Sequence, residues 1–112
     1  MARSYLGEFE HLILLSIMRL GDDAYGVTIR REIERHTGRS VSLGAIYPAL
    51  DRLEEKGFID SHVGEPTPTR GGRAKRYLQL TPEGLDMLVR TRVIIQSFWE
   101  GFEPSSETGM SS

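Results

Sequence analysis

The run Ser42-Leu43-Gly44-Ala45-Ile46-Tyr47-Pro48-Ala49-Leu50-Asp51-Arg52-Leu53-Glu54-Glu55-Lys56-Gly57 decides how the rest of the chain is read. Ser42 is a good helix N-cap, and Leu43, Ile46, Tyr47, Leu50 and Leu53 recur at helical spacing behind it, so one stripe of a helix is apolar. Gly57 closes that helix after Glu54-Glu55-Lys56, a run read as a solvated helix end. The other side carries Ser42, Gly44, Ala45, Pro48, Ala49 and Arg52, and its mostly small residues let a backbone come close to a large flat partner. Pro48 breaks a local rule, because a proline inside a helix removes a hydrogen bond and costs roughly 3 kcal/mol. Gly44, four residues earlier, has no side chain to crowd its ring. Two readings stand: the helix opens at Ser42 and carries Pro48 on its outer face, or it starts later with Pro48 near its first turn. A broken rule at an exposed position more often marks a functional surface.

Upstream, residues 6–20 form a first helix in which Phe9, Leu12, Ile13, Ser16, Ile17 and Leu20 recur at helical spacing between Glu8, Glu10, His11 and Arg19. Gly21-Asp22-Asp23 reads as a turn. A second helix is predicted over about residues 24–37, with Ile29 and Ile33 inward and Arg30, Arg31, Glu32, Glu34 and Arg35 making a solvated, ion-paired face before Gly38 stops it. Downstream the period switches to two. Residues 58–63 alternate, with Ile59, Ser61 and Val63 on one side, and residues 77–80 repeat the pattern with Leu78 and Leu80. Between these strands, residues 64–74 are rich in Gly, Pro and Thr and predict a loop with a flexible tip. Thr81-Pro82-Glu83 then spells a helix start: a capping hydroxyl, proline at the first helical position and an acid at the positive end of the dipole. That helix runs to about Glu100, and the composition of residues 103–112 predicts a disordered tail.

Composition removes several function classes. At 112 residues the chain fits one small domain with a thin core, which a partner subunit would help to cover. It has no cysteine, so disulfide frameworks, thiolate metal sites and thiol catalysis are excluded. No apolar run approaches ~18 residues and the first residues do not resemble a secretion signal, which predicts a cytoplasmic protein. His11, His36 and His62 fall on separate elements without metal-ligand spacing and are expected at the surface; Met18 and Met87 read as core filler. No nucleophile, base and orienting group line up, and Gly71-Gly72 lacks the Gly-Lys-Ser/Thr step of a phosphate loop, so neither an enzyme nor a cofactor or metal site is expected.

The formal net charge of -2 speaks weakly against nucleic acid, but its distribution does not. The last thirteen residues hold three acids and no base, which leaves +1 on the preceding 99. Residues 64–76 carry Arg70, Arg73, Lys75 and Arg76 against Glu65 alone. Three helices followed by two strands and a basic loop predict a mainly α (α+β) winged helix-turn-helix, its third helix lying in a major groove and its hairpin on phosphates or a narrow minor groove. Ser42 is placed to donate to a phosphate, Ala45 to touch a thymine methyl, and Arg52 to take a guanine or a phosphate. Two other functions fit less well. A winged-helix protein-interaction module without DNA binding would bury the outer face of the third helix and have no use for cations on the wing. A carrier of aromatic ligands would not need that wing either.

On these residues the sequence resembles the PadR family of bacterial transcriptional regulators. The resemblance rests on Leu6-Gly7 and the helix to Leu20, on Tyr25-Gly26-x-x-Ile29 and Glu32-Ile33, and most specifically on Ser42-Leu43-Gly44-Ala45-Ile46-Tyr47-Pro48-Ala49-Leu50 continuing to Ile59. Arg70-Gly71-Gly72-Arg73-Ala74-Lys75-Arg76-Tyr77 and Leu80-Thr81-Pro82-Glu83-Gly84 extend it, so that it covers about residues 6–100. It implies a homodimeric repressor that binds double-stranded operator DNA and is relieved by a small phenolic or hydrophobic effector. The DNA-binding set is then Tyr25, Ser42, Gly44, Ala45, Tyr47, Pro48, Arg52, Arg70, Gly71, Arg73 and Lys75. It also implies the short subfamily: a DNA-binding domain over residues 1–80, one C-terminal dimerisation helix over residues 81–102, and the tail.

The composition of the last helix agrees with a dimer. Leu85, Leu88, Val89, Val93, Ile94, Ile95, Phe98, Trp99 and Phe102 cover far more than one stripe, and a second subunit is their natural cover. By the same resemblance, Trp99 with Phe98 and Ile95 is expected to line an effector pocket between subunits; ordinary dimer packing is the plainer role for Trp99.

Overall fold

The computed structural model describes residues 6–64 and 74–102. Its elements are α1 (Glu8–Leu20), a 3₁₀ turn (Gly21–Asp23), α2 (Gly26–Thr37), α3 (Leu43–Glu55), β1 (Ile59–Val63), β2 (Arg76–Leu80) and α4 (Pro82–Trp99). Each boundary has a local cause. Gly21, Gly38 and Gly57 end their helices with positive φ, the conformation that a side chain disfavours. The Ser42 Oγ accepts from the Ala45 N–H at 3.1 Å, and the Thr81 Oγ1 accepts from the Gly84 N–H at 3.0 Å, so both caps work as the sequence predicts.

The strands form one antiparallel pair in which Ile59 faces Leu80 and Val63 faces Arg76. The Gly64 N–H donates to the Lys75 carbonyl at 2.8 Å and carries the ladder one step further. An isolated bridge from Tyr25 to Tyr77, with the Leu78 N–H donating to the Ala24 carbonyl at 2.9 Å, stitches the start of α2 to the outer side of β2. Together these make a winged helix-turn-helix. Ile13, Leu14 and Ile17 of α1, Ile29 and Ile33 of α2, Ile46, Ala49, Leu50 and Leu53 of α3, and Ile59 and Leu78 of the wing share one core.

Several sequence expectations need correction. Ala49 is fully buried instead of lying on the outer face of α3; a methyl group suits either face, and here it fills the core. Glu32 is 3% exposed, not solvated, and its carboxylate gathers Arg19, Arg35 and His36. Met18 is exposed, whereas Met87 does pack against the core. The Glu54-to-Lys56 stretch is tied down: Glu54 accepts from Ser61 and Arg76, and Lys56 pairs with Glu10. Val63 sits beyond the core, at the outer end of the paired strands, and is exposed despite its register with Ile59.

Pro48 lies inside a helix that starts at Leu43, which decides between the two readings of that segment. Room for its ring is not the reason for Gly44. A Cβ there would meet only the Ser42 Oγ, at 3.7 Å, an ordinary contact.

Candidate nucleic-acid interface

The polar side of α3 is open. Ser42, Gly44, Ala45, Tyr47, Pro48, Asp51 and Arg52 are exposed, while Ile46, Ala49, Leu50 and Leu53 anchor the opposite side. The helix is therefore held firmly from behind and presents a shallow front of small side chains, as insertion into a groove requires.

Besides the shared core, one close approach joins α3 to α2. A Cβ on Gly26 would lie 2.7 Å from the Tyr47 Oη and 2.8 Å from its Cε1, so the tyrosine ring lies directly on the glycine backbone. Tyr25, just before it, caps α2 in an extended conformation, and the Thr28 hydroxyl accepts from the Tyr25 N–H at 3.0 Å. The Tyr25 ring meets Tyr77 edge to face at 5.5 Å, and Tyr77 stacks on His62 at 5.6 Å. The Lys75 Nζ lies 4.8 Å from the centroid of the Tyr25 ring. Lys75, Tyr25, Gly26 and Tyr47 thus form a continuous path from the root of the wing to the exposed face of α3. Tyr25 and Tyr47 are structural hubs of that path, a role their sequence context does not show.

Arg52 and Arg76 are already engaged. The Arg52 Nε donates to Glu10 Oε2 at 3.2 Å while its side chain remains about half exposed. Arg76 spans Asp51 at 3.0 Å and Glu54 at 2.7 Å, pinning β2 to α3, and most of its charge is spent within the fold. Arg70, Gly71 and Arg73 lie outside the described residues. Ile95, Phe98 and Trp99 lie on α4 with Leu85, Val89, Val93 and Ile94, and Phe102 follows just beyond its end, all exposed in the single chain; Phe98 and Phe102 are 78% and 80% exposed.

Three carboxylates of the fold have lowered pKa values. Burial, the largest effect on Glu10, pushes its pKa up, but hydrogen bonds and charge from Lys56 and Arg52 outweigh it and bring the pKa below the ordinary value. For Glu32 the hydrogen bond from Arg19 leads, with His36 and Arg35 adding to it, and the result is again a lowered pKa. Arg76, then Ser61, lowers the pKa of Glu54. Among the described residues no group of three His, Asp or Glu side chains is arranged to hold a metal ion, and no helix is long and apolar enough to cross a membrane.

A three-helix core, a helix with an open front of small residues and a hairpin pinned beside it define a DNA-binding regulator of the winged helix-turn-helix class. The chain belongs to the PadR-like family of transcriptional regulators, whose family model matches residues 14–90. That family is one of regulators, not of enzymes. Among curated proteins the chain is 37% identical to the transcriptional regulator Rv3488 of Mycobacterium tuberculosis over 71 residues, 63% of this chain and 62% of that one, so the match spans less than two thirds of that regulator. It is 32% identical over 106 residues to a Lysinibacillus sphaericus protein described as "Uncharacterized protein X", covering 87% of this chain and 93% of the other. Among solved structures it is similar to a PadR family regulator of Clostridium difficile R20291, with 28% identity, a TM-score of 0.67 and coverage of 88% of this chain and 100% of that one. A complex structure of RosR from H. salinarum gives 29% identity and a TM-score of 0.68 over 90% of this chain and 80% of that one.

Proposed function

We propose that the protein is a homodimeric repressor that sits on operator DNA near its own gene and leaves it when a flat hydrophobic or phenolic compound binds. The observation that carries this reading is the open front of α3 beside the cationic root of the wing. Ser42 gives its hydroxyl to a phosphate, Gly44 and Pro48 allow close approach, Ala45 meets a base edge, and Tyr47 and Tyr25 border the contact. Lys75, with Arg70, Gly71 and Arg73 of the wing, follows the backbone or the narrow groove beside it. Arg52 reaches the duplex by exchanging its Glu10 partner, for which its half-exposed guanidinium leaves room. A protein-interaction module would have no use for the cations that the wing carries beside α3.

Dimerisation is supported by α4. Its exposed Leu85, Val89, Val93, Ile94, Ile95, Phe98 and Trp99, with Phe102 just beyond it, form more apolar surface than a soluble monomer normally leaves uncovered. Two such helices, brought together, also give Ile95, Phe98 and Trp99 a setting in which a planar ligand stacks. A protein with this role works in the cytoplasm, where the DNA is.

The test is a titration of the full chain against a duplex from the upstream intergenic region, at several salt concentrations, alongside sedimentation of the free protein. A dimer whose affinity falls steeply with salt supports the proposal. Tight, salt-insensitive binding or a monomer at all concentrations contradicts it. Tryptophan fluorescence with planar aromatic compounds tests the effector; no saturable quenching across a broad panel removes it.

A further inference from the structure

Arg30 is a half-buried arginine of α2 whose Nε is shut off from solvent and has no hydrogen-bond partner among the described residues. Its guanidinium makes no ion pair there either, whereas Arg19, Arg35, Arg39, Arg52, Arg76 and Arg90 each do; Arg31 and Arg92 also make none there, but both are exposed. A buried donor left unmet costs free energy, and native folds rarely keep one without a use.

Its place on α2 suggests that use. Gly26, Arg30 and Glu34 are spaced at i, i+4 and i+8 and so form one row along the helix. At one end of the row Gly26 touches the Tyr47 ring on α3. At the other, Glu34 Oε2 accepts from the Val41 N–H at 2.9 Å, just before the Ser42 cap. The row therefore turns toward α3, and Arg30 stands on it between those two contacts. Glu34, its natural i+4 partner, is occupied with Val41. The fork thus starts from the side of α2 that turns toward α3, with no partner among the described residues.

We propose that Arg30 is a phosphate-binding residue: its side chain turns outward from the shut position when the duplex arrives, and its Nε and a terminal nitrogen then clamp a backbone phosphate next to the N-terminus of α3. The clamp rests on the DNA-binding reading above and deepens it. It assigns to α2 the contact that fixes how far α3 enters the groove. An arginine suits this task because its planar fork takes a phosphate through two parallel hydrogen bonds, as lysine cannot.

The test uses the full-length protein, Arg30→Met and Arg30→Lys, with fluorescence anisotropy on the upstream duplex and on an unrelated duplex of equal length. Arg30→Met is expected to weaken both duplexes alike, by roughly ten- to a hundredfold, and to lower the salt slope by about the 0.9 of one phosphate. Its melting temperature should be unchanged or higher, because the unmet donor has gone. Arg30→Lys should keep the salt slope and lose part of the affinity. A wild-type protein that binds no duplex overturns the DNA reading itself. A wild type that binds while Arg30→Met matches it in affinity and slope overturns the clamp alone. A lowered melting temperature or a larger monomer fraction for Arg30→Met also overturns it, by assigning the side chain to the fold or to another chain.

Discussion

Gly84 and Gly44 are two helical glycines for which the same mutation should have opposite effects. A Cβ on Gly84 would lie 2.1 Å from the carbonyl oxygen of Phe58, 3.1 Å from that carbonyl carbon and 3.2 Å from Leu80 Cδ2. An unstrained carbon-to-oxygen contact needs more than about 1 Å of extra separation here. The obstacle cannot swing aside. It is main chain, it accepts from the Thr81 N–H at 3.1 Å, and it leads directly into the fully buried Ile59. Gly84→Ala gains up to ~1 kcal/mol in helix propensity. Against this stand ~1–3 kcal/mol of overpacking, or more, and ~1 kcal/mol for the strained hydrogen bond. A net loss of ~2 kcal/mol is expected, which for a domain of this size lowers the melting temperature by roughly 8–16 °C. Gly44→Ala meets only the Ser42 Oγ at 3.7 Å and should melt at or above the wild-type temperature. Its methyl group projects from the exposed side of α3, so DNA affinity should fall while the fold holds. Circular dichroism melts at one fixed protein concentration provide the comparison, since association shifts the midpoint. If Gly84→Ala melts within about 2 °C of wild type, the close approach of α4 to the Phe58 carbonyl does not limit the fold as argued.

Gly26→Ala is expected to change stability little but to displace Tyr47, because the atoms it meets are the far end of an exposed side chain; a double-mutant cycle with Tyr47→Ala should give a coupling of about 1 kcal/mol, and strict additivity would contradict the contact. Acid should destabilise the protein in a defined window. Glu10, Glu32 and Glu54 all have folded pKa values below their ordinary 4.5, so the unfolded chain binds protons first. The stability they contribute is complete above about pH 5 and is lost as pH falls through their folded values. Glu32→Gln should flatten that part of a pH-stability curve measured by urea titration, and a curve as steep as wild type would count against it. Phe98→Ser combined with Val93→Asp should yield a folded monomer in sedimentation, whereas an unchanged mass would move the dimer interface away from α4.

The order and limits of the elements were readable because they depend on local chemistry. Ser42 and Thr81 announce their helices, Gly38 and Gly57 end theirs, and the switch from a helical to a two-residue period after Phe58 marks the wing. The buried acids were not readable in this way. Glu10 meets Lys56, 46 residues away, and Glu32 meets Arg19, 13 residues away, so neither pairing leaves a trace in the helical pattern. Ala49 was placed outside because alanine carries no preference strong enough to choose a face. Arg30 was read as one more solvated cation, since only the contacts of Gly26 and Glu34 show which way that row of α2 turns. The roles of Tyr25 and Tyr47 as spacers likewise need three dimensions.

The aromatic stack of Tyr25, Tyr77 and His62 sets a limit on variation in the hairpin. Inboard of the Gly64–Lys75 pair, every residue on β2 is indexed to α2 and α3 through Tyr77 and Arg76, so removing a single residue there would rotate the finger and tilt the reading helix with it. A relative or engineered form that keeps the wing aligned with α2 and α3 must therefore leave the length of β2 between Lys75 and Leu80 unchanged, whatever substitutions its exposed side chains accept.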